Sequence, residues 1–508
     1  MQKHKIQNKD IGYVISYLLL GLTSITLGIL SIFYDYQEVA LNERIKVRPW
    51  LPAYEMWRHP SASGVDIGIK MYLFAAENPY EFLSNSSAKL KLKEIGPIVY
   101  KKILRQENIK FHNENSTMTY SSVFDIVFDE ERTAAGILNQ TITVVNPMLL
   151  GFAAMAHDMF LARMAFNMIA QDDDVFLNRT VYELLWNNSS PIFDFVKKIP
   201  FASPRENAGI LFNSFYPSDN IFNVNIGTKH GFKDFFKINT FNGLSRIDVY
   251  SESYAKQCPV SLVGASEGTG LPPHIGKDDV IYAYMKNLCR TYPMVYNKTV
   301  QVHGVEAYKY VLGDDIYKRL ENSNLDCFKQ TGDVELPDGL SDASKCAFGL
   351  PVAVSPPHFF GFHGPWENYI EGLAPSDAKH ASFFTVEPTS GVQLEGIARL
   401  QSNMPLPSLE NYSPNIRRFS NMIVPQFWME YFVINESSII YGLVKMFLLL
   451  PIIQPICVVF LFALSIFAFH KSIRKAFYHK DLVCLLKEPE LAILQQPLCA
   501  EIITKEFK

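Results

Sequence analysis

IGYVISYLLLGLTSITLGILSIFY, residues Ile11–Tyr34, runs for 24 residues without a charge between Asp10 and Asp35. MFLLLPIIQPICVVFLFALSIFAF, residues Met446–Phe469, does the same between Lys445 and a basic tail. As helices rising about 1.5 Å per residue, each reaches about 36 Å, more than a hydrocarbon core of about 30 Å. A signal peptide is the competing reading of the first stretch. Its apolar part is usually about 7–15 residues, however, and no small-residue cleavage site follows Phe33-Tyr34-Asp35-Tyr36. Two uncleaved spans are expected.

Basic residues beside the spans set the orientation. Lys3, Lys5 and Lys9 precede the first span, and Lys471, Arg474, Lys475 and Lys480 follow the second. Arg44, Lys46 and Arg48 blur the first vote, whereas Lys445 is the only basic residue close to the outer side of the second span. The expected organisation is a cytoplasmic tail 1–10, a transmembrane helix 11–34, a glycosylated ectodomain 35–445, a transmembrane helix 446–469 and a cytoplasmic tail 470–508. Glycosylation sequons stand at Asn85, Asn115, Asn139, Asn178, Asn187, Asn188, Asn297, Asn411 and Asn435, all between the spans. Asn187 and Asn188 compete, and a proline follows the sequon at Asn188 and at Asn411.

Cysteine usage splits in the same way. Cys258, Cys289, Cys327 and Cys346 lie outside, an even set that an oxidising compartment pairs in one of three ways. Without a Cys-x-x-Cys or a neighbouring His pair, they do not read as a zinc site, and no metal or cofactor is expected. Cys457 falls in the second span, Cys484 and Cys499 in the tail. Cys484 is either a palmitoylation site or a free thiol.

The chain has 508 residues, 48% apolar and 19% charged, with a net charge of −4, and shows no basic excess or motif for nucleic acid. Between the spans it shows neither repeats nor low-complexity linkers. A single α+β domain is expected there, an antiparallel sheet with helices inserted. Thr240-Phe241-Asn242-Gly243-Leu244 carries a hairpin Asn-Gly, and Arg246-Ile247-Asp248-Val249 alternates after it. Phe383–Glu387 and Val392–Leu394 flank the turn Pro388-Thr389-Ser390-Gly391. Pro147–Ala170 is almost wholly apolar, but Asp158 and Arg163 near its middle would each cost about 2.5–3.5 kcal/mol in lipid. It therefore reads as one or two helices of the outer domain. Met148, Met155, Met159, Met164 and Met168 accompany Phe152, Phe160 and Phe166 there. Two readings stand side by side: a buried core helix, or an adaptable apolar surface that receives lipid tails or varied partners. Asp172-Asp173-Asp174, just afterwards, reads as a solvated loop or helix end.

Six runs in order resemble the class B scavenger receptor family, which includes lysosomal integral membrane proteins and insect sensory neuron membrane proteins. They are Lys93–Tyr100, Glu183–Trp186, Pro357–Phe359, Val386–Gly391, Arg399–Gln401 and Ile423–Trp428. The resemblance implies an antiparallel β-barrel-like ectodomain with a helical cap, an apolar tunnel toward the bilayer and two transmembrane anchors. It places the Met-rich stretch in the ligand-binding cap, with Met155, Met159, Phe160, Arg163 and Met164 as candidate cap-surface contacts. It also implies the pairings Cys258–Cys327 and Cys289–Cys346. Some relatives add a third bridge, where this chain has Lys329. Some present cap lysines for anionic lipoproteins, about where Asp172–Asp174 fall here, which puts strongly anionic particles in doubt. Implied partners are fatty acids, neutral lipids, sterols or carotenoids and lipoprotein particles. His157 is read two ways, as a pH switch or as a structural histidine.

Gly264-Ala265-Ser266-Glu267-Gly268 matches the nucleophile elbow Gly-x-Ser-x-Gly. That elbow needs a helix directly after it, and Thr269-Gly270-Leu271-Pro272-Pro273 cannot begin one. No enzyme is expected. The principal expectation is a plasma-membrane lipid receptor, and the alternative an endosomal or lysosomal sorting receptor. For the alternative, Asp481-Leu482-Val483-Cys484-Leu485-Leu486 offers the sorting residues Asp481, Leu485 and Leu486. An amphipathic juxtamembrane segment explains the same run. A two-span ion channel is disfavoured, because the spans hold only scattered Ser, Thr and Gln. Gly21 and Gly28 offer a surface for a homo-oligomer, although their spacing is not Gly-x-x-x-Gly.

Overall fold

The computed structural model describes residues 2–170, 173–197, 207–214, 220–313, 316–319, 327–347 and 349–487. They divide into two units: Met1–Leu41 with Lys445–Lys508, and Asn42–Val444. Elements are numbered in chain order. The helices used below are α1 (Gln2–Phe33), α2 (Pro147–Ala156), α3 (Phe160–Ile169), α4 (Val181–Trp186), α5 (Pro191–Val196) and α6 (Ser438–Lys487).

In the first unit, α1 and α6 are long and apolar enough to cross a membrane. α6 runs well past the expected 446–469, because the basic segment after Phe469 has no Gly or Pro to stop it. The two helices pack through small residues. A Cβ at Gly21 would stand 3.1 Å from the Phe469 ring, and one at Gly28 3.4 Å from Phe462. Ser465 Oγ donates to Gly21 O at 3.0 Å, and Gln454 Nε2 to Ser31 O at 2.8 Å. The glycines considered for a homo-oligomer thus serve close approach within one chain.

In the second unit, eleven strands form one continuous antiparallel path. They are β1 (Val65–Ala76), β2 (Leu90–His112), β3 (Thr117–Phe128), β6 (Ile221–Asn225), β7 (Ile238–Phe241), β8 (Ile281–Met285), β9 (Arg290–Val302), β10 (Val305–Leu312), β11 (Phe383–Glu387), β12 (Val392–Pro405) and β13 (Ile423–Asn435). β4 (Thr141–Val145) and β5 (Phe176–Thr180) pair separately beside the cap helices. The path order is β7-β6-β3-β2-β1-β13-β12-β11-β10-β9-β8.

The two ends of that path are joined by Gly264–Ser266. Ile238 N donates to Ala265 O at 2.8 Å and Gly264 N to Ile238 O at 3.0 Å, on the β7 side. Ser266 N donates to Tyr282 O at 2.7 Å and Tyr284 N to Ser266 O at 2.8 Å, on the β8 side. The segment that resembles a nucleophile elbow is therefore the staple that closes the sheet, and closure removes two exposed edges.

The Asn-Gly turn forms, with Asn242 and Gly243 at φ 48 and 82°, as a tight hairpin connection requires. The expected second strand Arg246–Val249 does not. Only an isolated Arg246–Ser261 bridge remains, and the chain bends so that Ile247 and Tyr250 are buried. The β11–β12 turn forms as read. Gly391 has φ 70°, and a Cβ there would meet Pro272 O at 2.2 Å. Disulfides join Cys258 to Cys327 and Cys289 to Cys346. Lys329 is buried, its Nζ donating to Tyr317 O at 2.7 Å and Leu340 O at 2.9 Å.

Candidate functional site: an apolar cap face and an interior cavity

Pro147–Ala170 forms two helices with opposite surroundings. Asn146 caps α2, its side chain accepting from Met148 N and Leu149 N, while Pro147 occupies the first turn. α2 is apolar all round and buries Leu149, Leu150, Ala153, Ala154 and Ala156. α3 buries only Phe166, with Ala162 and Ile169 half-buried along the same face. Its other residues except Arg163 point outward. Phe160, Leu161, Met164 and Met168 are 63, 77, 51 and 71% exposed, beside Met159 and Met155 at 57 and 43%.

This contiguous apolar surface is what a ligand face requires. Of the five candidates read from sequence, Met155, Met159, Phe160 and Met164 are exposed, whereas Arg163 is partly buried. Arg163 Nη1 donates to His157 O at 2.7 Å, and its guanidinium lies 5.9 Å from the Phe160 ring centroid, so it braces the helix start. Leu161 and Met168 complete the surface. Their signal was the three-residue burial stripe 162, 166, 169, which leaves 161 and 168 outside.

Next to it, the acidic run is not simply solvated. Asp172 lies outside the described residues. Asp173 accepts from Asn146 Nδ2 at 3.0 Å and from Ile192 N, at the start of α5, at 3.3 Å. His157 Nδ1 is 2.6 Å from Ala154 O, and its Nε2 is 3.2 Å from Asp158 and 3.6 Å from Asp333. A side-chain hydrogen bond with Asp158, and after it the Asp158 charge, hold the Asp333 carboxyl above the ordinary carboxylate value.

Inside the closed sheet lies a cavity of about 200 Å³ with a mainly apolar wall that includes Leu288, Met294, Leu312, Phe384, Leu400 and Val433. These residues come from five separate segments, so no local run announces them. Its polar lining includes Ser266 and Glu267 of the closing segment together with Ser382, Gln393 and Arg399. Tyr120 Oη and Thr269 Oγ1 both donate to Glu267 Oε1, the latter at 2.5 Å. Burial pushes the Glu267 carboxyl up, against the opposing pull of these hydroxyls and of Lys102. Burial likewise lowers Lys102 to about 8, and its Nζ lies 4.1 Å over the Phe124 ring.

Four of the six quoted runs meet in a polar network, buried except at Glu94, rather than in a ligand site. His358 Nε2 donates to Glu94 Oε2 at 2.7 Å, as does Trp428 Nε1 at 2.7 Å. Burial raises the Glu94 carboxyl, but these two donors outweigh it and hold it below the ordinary value. His358 N donates to Gln401 Oε1 at 2.7 Å, and Arg399 Nε to Glu430 Oε2 at 2.6 Å. Glu94, His358 and His380 are spaced closely enough to hold a metal, but their donor set argues otherwise. Ala374 N donates to His358 Nδ1 at 3.0 Å and Ser376 N to His380 Nδ1 at 2.9 Å. Each neutral ring must then carry its proton on Nε2, which removes the lone pair a metal needs. Burial and the neighbouring His358 lower His380 to about 4.

Ser266 has no catalytic surroundings. Its hydroxyl donates to Gly270 O at 3.0 Å and accepts from Gly268 N at 3.1 Å. Among the sequon asparagines, Asn85, Asn115, Asn139, Asn178, Asn187, Asn297 and Asn411 are exposed. Asn188 and Asn435 are buried, 4 and 3% exposed, which leaves no room for a sugar and removes them from the candidate acceptors. Asp481, Leu485 and Leu486 lie on the backbone of α6, their side chains outside the described set. Cys457 is a free, exposed thiol on the same helix, and Cys499 lies outside the described residues.

A family model described as the CD36 family matches residues 15–475. Lysosome membrane protein 2 of Rattus norvegicus is 24% identical over 83% of this chain and 84% of its own length. Protein peste of Drosophila melanogaster is 27% identical over 81% of this chain and 74% of its own. Scavenger receptor class B member 1 of Rattus norvegicus is 24% identical over 81% and 79%.

Proposed function

This chain belongs to the CD36 family of membrane receptors, and on that footing we propose that it is a cell-surface scavenger-type receptor for lipids and lipid-carrying particles. Cargo is received at the exposed face of α3 and passes through the interior cavity toward the bilayer. The observation that carries this reading is the pairing, within one folded unit, of an unpartnered apolar helix face with an apolar cavity inside a closed sheet. A lipid in water exposes chain at about 0.8 kcal/mol per CH₂, so a dry route lowers the barrier to its transfer. In this reading both termini are cytoplasmic, residues 35–445 lie outside, and the exposed sequons carry glycans. Fatty acids, sterols, carotenoids and lipoprotein particles are the cargo classes it accommodates.

Transfer of a fluorescent lipid between liposomes by the full, inserted protein tests the proposal. Transfer faster than in protein-free liposomes, and slowed several-fold by Met159→Gln with Met164→Gln, supports it. No transfer sinks it.

A second reading, sorting in endosomes or lysosomes, draws on the relative named lysosome membrane protein 2 and on Asp481, Leu485 and Leu486. Leu485→Ala with Leu486→Ala should move the protein to the cell surface. An unchanged steady-state location counts against sorting by this motif.

A further inference from the structure

Alternation along β3 and β6 sorts their side chains to two faces. Met118, Tyr120, Phe222 and Val224 enter the core. Thr117, Thr119, Asn223 and Asn225 take the opposite face, where Thr117 pairs with Asn225 and Thr119 with Asn223. On that face Thr117, Asn223 and Asn225 join Asn239 of β7 around a basin of about 530 Å³ lined by polar residues alone. Small-ligand sites span about 300–1,000 Å³, and a wall without apolar side chains suits a hydrophilic occupant. Asn223 Nδ2 donates to Thr119 Oγ1 at 3.0 Å and Thr117 Oγ1 at 3.3 Å. Asn239 Nδ2 donates to Asn223 Oδ1 at 3.2 Å and Asn225 Oδ1 at 2.6 Å. Asn225 is only 9% exposed, yet its Nδ2 has no partner among the described residues, and neither has Asn239 Oδ1. An amide buried to that degree costs free energy while its N–H groups go unmet.

The rim supplies the occupant. Asn115, in the turn between β2 and β3, is a sequon asparagine, exposed and lining the same basin. Its turn is held by two other residues of the wall. Lys229 Nζ donates to Glu114 O at 3.1 Å, and His230 Nε2 donates to Asn115 O at 2.7 Å. We propose that the basin seats the first sugar of a glycan attached to Asn115, an N-acetylglucosamine, with its acetamido group on Asn225 and Asn239. An acetamido group carries one C=O acceptor and one N–H donor, the complement of the open Asn225 Nδ2 and Asn239 Oδ1. No carboxylate lines the basin, and an uncharged sugar calls for none. Attachment at the rim also gives this sugar a high effective concentration over the basin, which a saccharide free in solution lacks. The Asn115 glycan is thereby part of the folded surface, unlike sugars on sequons that stand clear of it.

The seat rests on the reading that residues 35–445 lie outside the cytosol, and the test separates the two. Full-length protein made in cultured animal cells and purified in detergent is treated, without denaturation, with peptide-N-glycosidase, and release is followed at each sequon by glycopeptide mass spectrometry. Asn85 and Asn297, exposed and outside the basin, serve as references. Release at Asn115 should be about tenfold slower than at either, as about one net hydrogen bond holding the sugar implies, and denaturation should erase the difference. Asn225→Asp keeps the oxygen that Asn239 uses and removes the N–H donor, so it should bring native release at Asn115 up to the reference rate. Equal rates in the wild-type chain overturn the seat and leave the topology standing, as does an Asn115 that carries no sugar while Asn85 carries one. Slow release that persists in Asn225→Asp at an unchanged thermal midpoint also overturns it. Sugar at no sequon overturns the topology and the seat with it. The wild-type comparison needs no variant, so it decides the matter even if Asn225→Asp does not fold.

Discussion

α2 and α3 are neighbours in sequence, equal in length and similar in composition, yet one is core and the other surface. α2 has no charged residue and no polar face, and all but Met155 of it is buried or half-buried. α3 has a stripe of three residues that is enough to dock it, and its remaining apolar side chains have nothing to cover them. The difference teaches that apolar content predicts helix formation but not burial. Burial is set by how much core surface is left for the second helix after the first has taken its place.

The contrast can be broken most forcefully at the residues that dock each helix. Phe166→Ala removes the single buried anchor of α3, which sits edge-on to Tyr412 at 5.3 Å between centroids, and should lower unfolding stability by about 3–5 kcal/mol. Leu150→Ala in α2 should cost about 2–5 kcal/mol. Chemical denaturation of the full chain measures both, and a loss below about 1 kcal/mol at either would mean that the helix is not held where it is described. Next in size is Asn146→Ala, which removes the α2 cap and one partner of Asp173. A loss of about 1–2 kcal/mol is expected, with faster hydrogen exchange confined to the first turn of α2.

Acid sharpens the same division, because the core that holds α2 is continuous with Phe74 and Trp428 around the His358–His380 stack. His380 titrates near 4 when folded and near 6.5 when unfolded. The unfolded chain therefore binds more protons between those values, and stability contributed by neutral His380 is lost as pH falls from about 6.5 to 4. A thermal-midpoint series across that window should slope downward toward acid, and His380→Gln should flatten the slope. The smallest expected effect on stability is at the exposed face. Met159→Gln and Met164→Gln should each stay within about 0.5 kcal/mol of wild type, in contrast to the transfer defect proposed for the pair. A large loss of stability in either variant would show that α3 is core after all.

Much of this was legible in advance, and the reasons differ by element. Both apolar end helices were readable because length and absence of charge are properties of a local run. The β11–β12 turn was readable because Gly391 and the side chain of Glu387, which accepts from Thr389 N and Ser390 N, act within five residues. Arg246–Val249 misled because alternation alone does not supply a partner strand. The cavity was invisible because its wall is assembled from β8 to β13 and from the closing segment, elements that lie far apart in the sequence.

By itself the sequence determined the two long apolar end helices, the helices of Pro147–Ala170 and the turns at Asn242-Gly243 and Pro388–Gly391, since all of these depend on neighbours a few residues apart. Only the tertiary structure decided that Gly264–Ser266 closes the sheet, that Glu267 looks into the space it encloses, and that α3 rather than α2 shows an apolar face to solvent. Those outcomes depend on surfaces meeting across hundreds of residues, and the free energy of burial is a property of the pair of surfaces, not of either alone.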